Sequence, residues 1–199
     1  TDMDYLNVLS VVGHEYFHNW TGNRVGCQNW FQLSLKEGLT TYREMRFTCD
    51  SYCQMARLIY IKKLIDGQFK EDRGPTAHPV IPKSYQRIDN FYTNTIYTKG
   101  SEVLRMLEDL IGRDVIDQGI QNYLKKYDGK AVSIHEFIDT TQATAGIDLS
   151  QFKRWYDQVG TPHVQITSNY DSKNKTLALT LCQEAAQENQ REKYNMNKK

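Results

Sequence analysis

The sequence predicts a mainly α fold that ends in a β-hairpin, and three observations carry that prediction. Apolar positions recur at helical spacing through much of residues 1–158. Gly112, Gly129, Gly146 and Gly160 each fall at or just past a helical stretch, where C-caps belong. After Pro162 the period changes to two, as in strands.

Taken in order, Asp2 or Asp4 can cap a first helix that runs to about Trp20. Apolar Val8, Leu9, Val11 and Val12 give it the look of a buried helix. Thr21-Gly22-Asn23-Arg24 breaks it, and 24–32 reads as a connecting loop. A second helix is expected over 33–49 and a third over 51–65, with Asp66-Gly67 as the stop. Residues 67–90 hold Pro75, Pro79 and Pro82 and few periodic apolar positions, so they read as a long loop crossing the active-site side. Helices return over 101–111, 114–127, 133–145 and 149–158, and Ser133-Ile134-His135-Glu136 is a capping box. Residues 164–167 and 176–181 alternate around a polar turn over 171–175, which is a hairpin pattern. The last residues are polar and are expected to be disordered.

The chemistry concentrates near the start. His14-Glu15-Tyr16-Phe17-His18 is H-E-x-x-H, and Glu37 follows after eighteen further residues. Histidines four apart share one helix face, so both imidazoles can reach one Zn²⁺. Glu15 between them projects near the metal without binding it, where a general base is needed. Glu37 sits in the apolar stretch Leu33-Ser34-Leu35-Lys36-Glu37-Gly38-Leu39, where an unpartnered charge is costly. His14, His18 and Glu37 as ligands leave a fourth position for water, the arrangement of a catalytic zinc. Glu44 lies two helical turns past Glu37 on the same side, so it is a candidate partner for His18; the plain alternative is a solvated glutamate. Lys36 reads as a solubility residue or half of a local ion pair. His78 could line a substrate channel but reads more simply as a loop residue, and His135 as a surface one.

His14 to Arg24 (HEYFHNWTGNR) and Trp30 to Thr40 (WFQLSLKEGLT) resemble the zinc aminopeptidase N family of gluzincins, in its bacterial-type alanyl aminopeptidase branch. The resemblance continues through Asn90-Phe91-Tyr92, Tyr97-Thr98-Lys99-Gly100 and Phe152 to Pro162 (FKRWYDQVGTP). It implies that 1–162 is the C-terminal helical portion of a thermolysin-like catalytic domain with its zinc site. It also implies that 163–199 begins a β-sandwich domain. It implies one Zn²⁺ per chain, peptide substrates with a free N-terminus, and release of N-terminal residues by attack of metal-activated water. Tyr97 takes its role from the resemblance alone, as the tyrosine that steadies the oxyanion. The family's amine-binding Gly-x-Met-Glu-Asn segment does not occur here. The chain therefore reads as a piece of a longer parent, inactive by itself and partnered by the rest of that polypeptide. A thermolysin-like endopeptidase would use the same zinc site, and a helical pseudoenzyme module could keep the motif without turnover.

Composition bounds the alternatives. Lys and Arg total 25 against 24 Asp and Glu, so no basic stripe points to nucleic acid. No apolar run approaches a membrane span. Cys27, Cys49, Cys53 and Cys182 read as free thiols, which fits a reducing, cytoplasmic location; Cys49 and Cys53 are expected one turn apart on one helix face.

Overall fold

The computed structural model describes residues 2–184. Helix α1 (Asp2–Phe17) is followed by a short strand, β1 (Gly26–Cys27). Helix α2 (Leu33–Ser51) comes next, entered through a 3₁₀ turn at Trp30–Gln32. Residues 24–32 are thus more than a loop. Gly26 and Cys27 pair in parallel with Ala131 and Val132 of β2 (Ala131–Val132), which ties the end of the first helix to a distant turn. The remaining helices are α3 (Arg57–Lys63), α4 (Phe69–Arg73), α5 (Gly100–Ile111), α6 (Arg113–Tyr127), α7 (Ile134–Ala145) and α8 (Arg154–Asp157).

Helices α1 and α2 run antiparallel. Gly13 and Phe17 meet Phe47 and Arg43, and His18 meets Thr40. Only one side of α1 is covered. Leu6 and Gly13 are buried, whereas Val8, Val11 and Val12 are exposed, contrary to the buried helix their apolarity suggests. Apolarity does not say which side of a helix the neighbour covers, and here α2 takes the side that carries Gly13 and the histidines.

The core joins Leu35, Leu39, Tyr42 and Met45 of α2 to Val103, Leu104 and Leu107 of α5, with α6 and α7 behind. The α2–α5 crossing is close. A Cβ on Gly38 would lie 3.1 Å from the Gly100 backbone, so both helices meet at glycine. Ser34 donates to the Ile96 carbonyl at 2.7 Å and fixes the approach.

The third helix does not stop at Gly67. It passes through a π-helical turn, Leu64–Gln68, and continues as α4 to Arg73. Gly67 is small for another reason: a Cβ there would sit 3.1 Å from Asn94 Oδ1. A second π-helical turn, Thr95–Lys99, leads into α5, so Tyr97 lies inside a helical turn rather than before a helix. The Glu71 carboxylate accepts from the Asn94 and Thr95 amides at 3.1 and 2.8 Å, capping that turn from α4.

The capping box of α7 forms through Ser133 and Glu136, and Gly146 caps its end in the left-handed region. Helix α8 is shorter than the 149–158 stretch suggests, because turns occupy the residues before Arg154. Cys49 and Cys53 do not share a face: α2 ends at Ser51, leaving Cys49 buried and Cys53 exposed. Strands β3 (His163–Asp171) and β4 (Thr176–Glu184) pair antiparallel, Ile166 opposite Leu181 and Tyr170 opposite Leu177. Val164, Ile166, Tyr170, Leu177, Leu179 and Leu181 share one exposed face. The expected disorder of the last residues falls outside the described ones. Among the described residues no helix is long and apolar enough to cross a membrane.

Candidate active site

A cavity of about 500 Å³ opens where α1, α2 and the second π turn meet, and His14, Glu15, His18, Lys36, Glu37, Glu44 and Tyr97 all line it. His14 Nε2 and His18 Nε2 lie 3.0 Å apart. Both face Glu37 Oε2, at 3.3 and 3.1 Å. One ligand-type atom from each of the three residues falls within 4.8 Å of the other two. Helical spacing on α1 aligns the histidines, and the antiparallel packing of α2 brings Glu37 across to them.

The far side of each imidazole is also held. His18 donates from Nδ1 to the Thr21 carbonyl at 2.8 Å, made possible by the chain turning at Thr21. A carbonyl only accepts, so Nδ1 carries the proton of that bond and Nε2 is the nitrogen turned toward Glu37. His14 Nδ1 faces Glu44 Oε2 at 3.4 Å. Glu44 therefore partners His14, not His18 as its spacing suggested. Because α2 runs antiparallel to α1, a residue further along α2 meets a residue earlier on α1. Glu44 also accepts from Tyr60 at 2.6 Å and from Ser10. Ser10 precedes His14 by one helical turn, a signal present in the sequence; nothing there points to Tyr60.

Electrostatics follow from burial and these contacts. Glu37 is only 3% exposed, and burial opposes its charge. Hydrogen bonds from His14, His18 and Lys36 outweigh that and hold its carboxyl well below the usual range. Burial likewise opposes charge on Glu44, and His14, Ser10 and Tyr60 bring its pKa down. Burial would lower His14, but Glu37 and Glu44 raise it to about 9. Tyr97 stacks beside His14, with ring centroids 6.2 Å apart. Burial and the Glu37 carboxylate push its phenol up, so it stays protonated near neutrality. Glu15 is exposed on the cavity wall.

Other histidines lie elsewhere. His78 bonds Thr93 Oγ1 at 2.9 Å and lines a separate cavity with Tyr85 and Phe91, so this part of the proline-containing loop does not line the histidine cavity. His135 is in the first turn of α7 and His163 is exposed in β3.

The domain model for Peptidase family M1 matches residues 1–156, and the chain belongs to that family. Its relatives include the Aminopeptidase N of Haemophilus influenzae, 47% identical over 184 residues, and that of Escherichia coli, 45% identical over the same length. Each match covers 92% of this chain and 21% of the relative, so the chain spans about a fifth of their length. Among solved structures, an aminopeptidase A of Legionella pneumophila in complex with aspartic acid superposes with a TM-score of 0.81 at 31% identity. That match covers 92% of this chain and 20% of the other.

Proposed function

We propose that the chain carries the metal-binding catalytic core of a zinc aminopeptidase, with one Zn²⁺ held by His14, His18 and Glu37. The observation behind this reading is the convergence of two Nε2 atoms and one carboxylate oxygen on a cavity wall. Two imidazoles and a carboxylate are a donor set that catalytic zinc takes. Zinc, when bound, supplies Lewis acidity toward a carbonyl and toward water.

The chain's own residues do the rest. Glu15 takes a proton from the attacking water and returns it to the leaving amine. Tyr97 keeps its proton and donates a hydrogen bond to the oxygen on which charge develops. Glu44 and the Thr21 carbonyl orient His14 and His18 through their Nδ1 atoms, leaving each Nε2 for the metal. The substrates are peptides with a free N-terminus, as the names of the relatives suggest. Residues 1–162 belong on this reading to the catalytic domain, and 163–199 begin a β-sandwich domain. The family's Gly-x-Met-Glu-Asn segment is not among the 199 residues, so the chain alone binds zinc but releases N-terminal residues poorly.

Tyr97→Phe in the longer protein tests the assignment. Hydrolysis of an alanyl anilide should fall about 10²- to 10³-fold, the usual cost of removing an oxyanion donor. Zinc content should stay unchanged. Parallel loss of zinc and activity would refute the role of Tyr97, and a wild-type chain without affinity for zinc at neutral pH would refute the whole centre.

A further inference from the structure

We propose that Lys36 is a positioning residue that confines Glu37 to one-oxygen metal ligation; this rests on the zinc reading above. Adjacent residues on a helix project about 100° apart and do not normally face each other. Lys36 nevertheless brings its Nζ to 2.5 Å from Glu37 Oε1. Its stem folds back along the turn at Gly22, whose φ is +143°. A Cβ on that glycine would lie 3.6 Å from Lys36 Cδ and 3.1 Å from His18 Nδ1. The same turn thus makes room for the lysine stem and for the imidazole.

The result is a division of labour within one carboxylate. Oε2 faces both imidazoles, and Oε1 faces the ammonium. Glu37 is buried, so water does not compete for Oε1. A carboxylate with both oxygens free can close on a metal in bidentate fashion and fill a further coordination position. Withdrawing one oxygen keeps the ligand count at three and the remaining position open for water or substrate. Lys36 lines the same cavity, so its charge is set where the exchangeable ligand enters.

Cobalt(II) substitution of the 199-residue chain reads this directly. Four-coordinate cobalt absorbs more strongly in the visible than five- or six-coordinate cobalt, because tetrahedral surroundings mix p character into the d orbitals most effectively. In Lys36→Met, Oε1 is released. The expected result is stoichiometric cobalt with a severalfold weaker, shifted visible band, while Lys36→Arg keeps the wild-type band. Thermal melts followed by circular dichroism identify any unfolded variant, in which case Lys36→Gln takes its place under the same criterion. A visible band in the charge-free variant identical to wild type overturns the proposal while leaving the zinc reading standing. A wild-type chain that takes up neither cobalt nor zinc overturns both.

Discussion

Two regions meet at the cavity, and they are built by different rules. The α1–α2 corner sets its side chains by regular helical spacing: His14 and His18 one turn apart, Glu37 and Glu44 two turns apart. The Tyr97 segment depends on distant partners instead. Its π turn is capped by Glu71, fixed by Ser34 through Ile96, and anchored by Lys99. The Lys99 ammonium lies 2.9 Å from both Asp72 Oδ2 and the Gly160 carbonyl, and Thr161 donates to the same carboxylate oxygen at 3.0 Å. The two histidines can therefore come from short-range periodicity, with one helix packing adding Glu37. The residue facing them is placed by several contacts that span from 24 positions of sequence, as with Thr95 and Glu71, to 62, as with Ser34 and Ile96.

The largest expected effect falls on the second region. Lys99→Met leaves Asp72, whose side chain is fully inaccessible, without its counter-charge. Breaking a buried pair in this way costs about 3–5 kcal/mol. Urea denaturation should show it, and a loss under 1 kcal/mol would mean that the long-range clamp matters less than the comparison holds. Gly38→Ala acts on the seam between the regions. The new methyl must displace the Gly100 backbone or Ser34, and overpacking of this kind costs about 1–3 kcal/mol. An unchanged melting temperature would show that the seam is looser than its distances indicate. Glu44→Gln should disturb stability least, since an amide oxygen still accepts from Tyr60. Zinc affinity should nevertheless drop about 10-fold or more, as for other residues behind a metal-bound histidine. Chelator competition measures it, and an unaltered affinity would remove Glu44 from the site.

The sequence makes the first region legible and much of the second illegible, for physical reasons. H-E-x-x-H places two side chains by local geometry alone, and the Ser133 capping box and Gly146 are equally local. Direction is not local. Seven-residue spacing puts Glu44 on the same side as Glu37, but only the antiparallel course of α2 sends it to His14 rather than His18. Gly67 reads as a helix stop because the reason for a glycine there, the approach of Asn94, lies 27 residues away. The exposed Val8, Val11 and Val12 show the same limit, since apolarity marks a surface without naming what covers it.

The turn at Thr95–Lys99 also bears on how this fold can change over time. A π turn holds one residue more than an α turn at the same place. Excising a single residue from it would restore ordinary α winding with little rotation of the flanking segments, because the π turn already absorbs the extra residue. Tyr97, which lies inside the turn, would be redirected relative to His14 while the flanking segments kept their courses. A one-residue change of length in this five-residue segment would thus act on the residue it presents to the cavity, not on the course of the helices around it.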